Sequence, residues 1–426
     1  MKKTVLKVCA AVMIASAFVG CSKKNGTNNS AGGEKVKLEL YYYKQENDEG
    51  LKNIVKKFES ENPNISIDML IIPNDADAQM SARAEQGDLP DILQMQSYSR
   101  VTEYASKGYL KDLSKEDCMK NVLPSSLPAG SYNGKQYALP MDYAGIGIIY
   151  NKEIFKSVGI DAPETFEDLA DVCDALKEAG YVPFAGLLKE NWSVGHFITL
   201  VHTALLSEKG IEPASFIDSM NKGKASYGDI DTDKLFKIMD FYKNNMNKNA
   251  SEMGGNEQQQ SFAKGEAAMM VQGLWSYIDA KKFNANLDAG FVPFPVFEDA
   301  SKNKFYADVD STFGISSQSS PEKQAAAVKF LNWLSSDEGK NLWVSEYKLT
   351  HSFRDGEFSS LGTPYADLMN SVAEKGSYCW AFSQYPSEVF EDACKNGAQK
   401  YMMNKANSSD VIKGIDERWA LVAGNK

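Results

Sequence analysis

Val36-Lys37-Leu38-Glu39-Leu40 and Ile65-Ser66-Ile67-Asp68-Met69 each alternate apolar and polar residues, which is the period of a strand. Between them Leu51, Ile54, Val55 and Phe58 recur at helical spacing, and Asn62-Pro63-Asn64 ends that helix. A strand, a helix and a second strand in this order predict a parallel pair with a crossover helix, and so an α/β fold. Leu89-Pro90-Asp91-Ile92-Leu93 extends the pattern with a short strand, followed by a helix around Val101 to Lys107. Downstream, Thr165 and Asp168 predict a capping box. Ser320-Pro321 opens a helix whose apolar face is Ala327, Phe330, Leu331 and Leu334. No repeat at a fixed period is visible.

A chain of 426 residues exceeds the size at which one core keeps growing, so two domains are expected. Its start has the form of a secretory signal over residues 1–20: Lys2 and Lys3 precede a run of small and apolar residues from Thr4 to Val19. That run is shorter than the roughly 20 apolar residues a membrane span takes. Phe18-Val19-Gly20-Cys21 resembles a bacterial lipobox, with Phe18 where Leu is usual, and makes Cys21 the expected lipidation site. Residues 21–35, polar and rich in Gly and Asn, read as a flexible tether. The protein is therefore expected on the extracytoplasmic face of the cell membrane, held by lipid.

A formal charge of −11 disfavours nucleic acid and anionic lipid as partners. With Cys9 in the signal and Cys21 lipidated, Cys118, Cys173, Cys379 and Cys394 remain, too few to support the fold. A Cys379 to Cys394 bridge and buried free thiols are the alternatives. Enzymatic signatures fail in turn. His196, His202 and His351 form no HExxH pair, and no metal site or cofactor is expected. No GxSxG elbow is present. Gly130 to Lys135 resembles half of a P-loop, but Gln136 stands where Ser or Thr would hold magnesium. Asp229, Asp231 and Asp233 imitate an EF-hand loop, but Lys234 occupies the position that needs Gly, so an acidic helix N-terminus is the better reading.

Several segments together resemble the family 1 extracellular solute-binding proteins, the sugar-binding components of ABC importers. They are Phe58 to Ile65, Gly87 to Ile92, the long block from Tyr132 to Phe166, Phe262 to Met269 with Gly273-Leu274-Trp275, and Gly314 to Leu334. The resemblance implies a two-lobed α/β fold of the periplasmic-binding-protein type (class II), with hinge strands joining the lobes and a ligand cleft between them. Residues 36–142 and 314–360 would form the N-terminal lobe, and 143–313 and 361–426 the C-terminal lobe. Crossings are expected near Asp142 to Gly145, Asp308 to Gly314 and Ser359 to Tyr365.

A sugar presents an apolar C–H face and a rim of hydroxyls, so its site needs flat aromatics and planar polar groups. Trp192, Trp275 and Trp380 are the aromatic candidates, each beside polar residues in a segment that resembles the family, whereas Trp333, Trp343 and Trp419 read as packing residues. The polar candidates are Tyr43, Gln45 and Glu46 after the first strand, Gln94 and Gln96 on the third, and Asp142, Asp308 and Asp310 at the crossings. The expected activity is capture of a carbohydrate, an oligosaccharide by preference, by a monomer that delivers it to ABC permease subunits without catalysis. A secreted glycan-degrading enzyme and a surface adhesin or sensor are the rivals.

Overall fold

β1 (Val36–Tyr42) and β2 (Ile65–Ile71) run parallel in continuous register from Val36 opposite Ile65 to Tyr42 opposite Ile71, with the helix Asp48–Glu61 crossing between them. The computed structural model describes residues 35–44, 48–72 and 76–424, with side chains described throughout except at 76–78. The signal segment, Cys21, the tether up to residue 34, Gln45 and Glu46 lie outside the described residues. β3 (Ile92–Gln96) pairs parallel to β1 on its other side. β4 (Ser131–Tyr132) and β5 (Lys135–Gln136) form a hairpin turned by Asn133 and Gly134, both at positive φ, so the segment that resembles half of a P-loop is a two-residue hairpin turn. β6 (Ala138–Pro140) completes this excursion.

After Met141 and Asp142 the chain enters a second sheet, built from β7 (Tyr143–Asn151), β8 (Val182–Phe184), β9 (Ala267–Gly273), β10 (Ala289–Val292) and β11 (Phe305–Val309). One residue later β12 (Ser311–Ile315) is back in the first sheet, antiparallel to both β3 and β6. β13 (Ser377–Tyr378) adds to the far edge of the second sheet beside β11. The strand orders are β2-β1-β3-β12-β6 and β13-β11-β7-β9-β8, with β10 also on β7. The second switch between sheets therefore falls at Asp310. Ser311, Thr312 and Phe313, assigned above to the C-terminal lobe, hydrogen-bond within the first sheet. Gly314, at the end of the expected crossing, lies inside β12, and its missing side chain serves packing: a Cβ there would lie 2.7 Å from Met95 and 3.0 Å from Leu110.

Alternation along the strands sorts the core. Leu38, Leu40 and Tyr42 pack with Leu51, Ile54 and Phe58 and with Ala327, Phe330, Leu331 and Leu334 of the helix Pro321–Leu334. Tyr41, Leu93 and Met95 face the opposite way, toward Met80, Val101 and Tyr104. In the second sheet Ile146, Ile148, Met269 and Val271 pack against the helix Trp192–Glu208, which is apolar around its whole circumference and nearly all buried. The predicted caps form: Thr165 and Asp168 bond reciprocally, and Ser320 accepts from Lys323. Asp231 caps the helix Thr232–Asn244, the acidic N-terminus expected there. Trp343 and Trp419 are buried and Trp333 partly so, but Trp343 lies in a separate turn, Trp343–Tyr347, beyond the helix that carries Trp333. Cys118, Cys173, Cys379 and Cys394 are all unpaired.

Candidate functional site

The residues that follow β1 and those at the two switches between sheets meet in one buried charge cluster. The Lys44 ammonium, 3% exposed, pairs with the carboxylates of Asp142, fully buried, and Asp310, 15% exposed. Asp142 also accepts from the Ser311 backbone N–H at 3.0 Å and from the Ser311 hydroxyl, while its carbonyl accepts from the Asp310 N–H at 2.9 Å. Both switches are thus fastened to each other and to the end of β1. Burial alone would lower the Lys44 pKa, and the Asp142 and Asp310 charges more than reverse it, leaving it well above the ordinary value. Asp310 is raised, by burial and by its neighbour Asp142 acting against Lys44. Gln94 extends the cluster: its carbonyl accepts from the Tyr43 N–H at 3.3 Å, and its amide reaches the Tyr347 hydroxyl at 3.2 Å. The Tyr43 hydroxyl is buried without a hydrogen-bond partner among the described residues, and Gln96 is exposed at the end of β3.

Asp308, near the end of β11, forms a second polar junction. Its carboxylate accepts from the Tyr98 hydroxyl at 2.8 and 3.0 Å, from the Val309 N–H at 2.8 Å and from the Trp380 N–H at 3.2 Å. Burial raises its pKa against these hydrogen bonds. Tyr98, which follows β3, holds φ 56° and ψ −97°, a conformation that costs a bulky residue free energy and is found mainly at functional sites. Beyond Tyr98 lies a cleft of about 670 Å³. Ser99 and Thr102 bound it on the first-sheet side, and Gln384, Ser387 and Arg418 on the other.

The three candidate tryptophans, far apart in sequence, converge on His196. Its ring centroid lies 5.7 Å from Trp192, 6.4 Å from Trp275 and 6.5 Å from Trp380, and Phe382 stacks on it at 4.4 Å. Trp192 opens its helix, and its indole N–H donates to Glu190 at 2.6 Å. Trp275 lies flat over Gly273, where a Cβ would come within 2.1 Å of the ring. Both are half-buried. Trp380 is 2% exposed, with its indole N–H on the Tyr306 carbonyl at 2.6 Å and its ring edge-on to Trp275 at 6.2 Å, so it backs the other two.

The structure thus brings together Trp192, Trp275 and Trp380 in one group, and Tyr43, Gln94, Asp142 and Asp310 in another. Asp308 adjoins Trp380, and Gln96, exposed, lies opposite Ser311 on β12, next to the second group. Lys44, Tyr98 and His196 were not among the candidates. Lys44 stood inside the stretch singled out, between Tyr43 and Gln45, and His196 was weighed only as a zinc ligand. Among the described residues no group of three or more His, Cys, Asp or Glu is arranged to hold a metal ion. The site's chemistry is aromatic surface and paired hydrogen bonds, which suits non-covalent recognition.

The chain is 26% identical to the multiple sugar-binding protein of Streptococcus mutans serotype c over 283 residues, 65% of this chain and 66% of that one. It is 24% identical to the melibiose/raffinose/stachyose-binding protein MelE of Bacillus subtilis over 66% of each chain. The fold superposes on the solute-binding protein RafE in complex with raffinose with a TM-score of 0.79 at 20% identity, covering 91% of this chain and 100% of that one. A chitin oligosaccharide binding protein gives 0.78 at 20% identity, covering 91% and 99%. These likenesses show the two-lobed α/β fold. Residues 43–341 match the model of the bacterial extracellular solute-binding proteins, and the chain belongs to that family.

Proposed function

We propose that this protein is the substrate-binding component of an ABC importer, and that it captures an oligosaccharide outside the cytoplasm and delivers it to the membrane permease. The observation that carries the reading is the convergence of the partly exposed aromatic rings of Trp192 and Trp275 on one imidazole, in a molecule that also holds a cleft lined by polar side chains. Aromatic faces fit the C–H side of a sugar ring, and planar amides and carboxylates fit its hydroxyl rim. The relatives' printed ligands, among them raffinose and stachyose, support the same class. Binding and release need no covalent step: a ligand that touches both halves stabilises the closed arrangement, and the two switches at Asp142 and Asp310 are where closure would bend.

Calorimetric titration with raffinose, stachyose, maltotriose, chitotriose and xylotriose tests the reading. Saturable binding of at least one, with the sugar recovered intact, is expected. Binding of none would overturn the carbohydrate class, and cleavage of the bound sugar would favour a glycan-degrading enzyme. Gly273→Ala is expected to push Trp275 off its seat and weaken binding about tenfold, because the new methyl group and the indole cannot share the space. Affinity equal to wild type would show that the Trp275 face is not used.

The lipid anchor at Cys21 belongs to the same proposal. A tethered receptor keeps its cargo at high effective concentration near the permease. Cys21→Ala is expected to release the protein into the medium with sugar affinity intact and uptake impaired. Uptake sustained equally by the released form would reduce the anchor to an address.

A further inference from the structure

We propose that His196 is the group that selects among sugar hydroxyls at the aromatic cluster, holding one of them through an imidazole nitrogen; the inference rests on the carbohydrate reading above. Five aromatic rings surround it: Trp192, Trp275, Trp380, Phe382 and Phe390, with centroids between 4.4 and 6.5 Å away. The imidazole is the polar centre of an otherwise apolar wall.

Its hydrogen-bonding capacity is unspent. The other two histidines each have a backbone partner: His202 Nε2 lies 3.1 Å from the Tyr227 carbonyl, and His351 Nδ1 accepts from the Phe353 N–H at 3.3 Å. Among the described residues no hydrogen bond reaches either ring nitrogen of His196, although the residue is not fully buried. A phenylalanine would keep every ring contact but could neither donate to nor accept from a ligand's hydroxyl.

Charge state fits the role. Burial, with the Lys395 ammonium adding to it, lowers the imidazole pKa to about 3, so the ring is neutral at physiological pH. A neutral imidazole offers one donor and one acceptor, and a sugar hydroxyl is also both. Lys395 itself is held away by Glu391, at 2.6 and 2.7 Å, and lies 4.8 Å over the Phe390 ring.

The test compares wild type, His196→Phe and His196→Asn by calorimetry against the five oligosaccharides named above, and against the monodeoxy analogues of whichever binds best. His196→Phe is expected to lose about tenfold in affinity. Wild type should disfavour one monodeoxy analogue that His196→Phe no longer tells from the parent. His196→Asn, which keeps a donor and an acceptor, should recover part of both effects. Urea midpoints control for folding, and if His196→Phe fails to fold, the deoxy series on His196→Asn still decides. Equal affinity and equal analogue discrimination in wild type and the variants would overturn the inference alone. A wild type that binds none of the five would bring down the carbohydrate reading and this inference with it.

Discussion

Replacing Lys44 with methionine is expected to destabilise the protein by about 3–5 kcal/mol, because it removes the cation shared by the buried Asp142 and the part-buried Asp310 and leaves the apolar stem in place. Methionine fills nearly the same volume, so lost packing contributes little, and the cost is that of charges left unpaired out of water. Asp310→Asn makes the contrast. It removes one of two carboxylates that share a single lysine and keeps the Lys44 pair with Asp142, so about 1 kcal/mol is expected. Urea denaturation of both variants at pH 7 measures the difference. The pH dependence has a definite sign. Burial already holds the Asp310 carboxyl above its ordinary value against the opposing charge of Lys44, so in Lys44→Met it rises further and the native state takes up a proton first as pH falls. The gap between wild type and variant should therefore narrow from pH 7 to pH 5. A Lys44→Met protein with the wild-type midpoint, or a gap that widens in acid, would show that the cluster does not hold the two switches.

What the sequence made legible follows from the range of each interaction. The strands β1 and β2 and the helix between them are written in local periodicity, and Leu51, Ile54, Val55 and Phe58 all face the core as their spacing predicts. Capping at Thr165 and Ser320 is likewise a matter of three or four neighbouring residues. The Lys44 cluster is different in kind. Its partners lie 98 and 266 positions away, and nothing near Lys44 marks it as buried. The backbone of Tyr98 is invisible for another reason: tyrosine is a residue type that seldom takes positive φ, so the sequence argues against the conformation found. The tryptophans were found through resemblance, which supplied candidates but not their arrangement. His196 acquires meaning only when Trp192, Trp275 and Trp380 surround it.

That arrangement separates two roles the three tryptophans could share. Trp192→Ala combined with Trp275→Ala is expected to weaken oligosaccharide binding by about 2–6 kcal/mol, from 1–3 for each stacked ring, or roughly thirty-fold to twenty-thousand-fold. Both rings approach His196, so the two effects need not add, and single variants complete the cycle. Stability should change less than for a fully buried ring, since each of the two is only partly buried. Trp380→Ala should behave in the opposite way. Its ring is enclosed by Trp275, Tyr306, Phe382 and His196, and truncation leaves a cavity that costs about 3–5 kcal/mol of folding stability. It also removes the indole bond to the Tyr306 carbonyl on β11. Urea midpoints and calorimetric affinities for all four variants decide the assignment. If Trp380→Ala lost binding at an unchanged midpoint, its ring would be a sugar platform that becomes uncovered when the lobes part. If the double variant bound sugar as wild type does, the aromatic wall would be core, and recognition would rest on the polar cleft beside Tyr98.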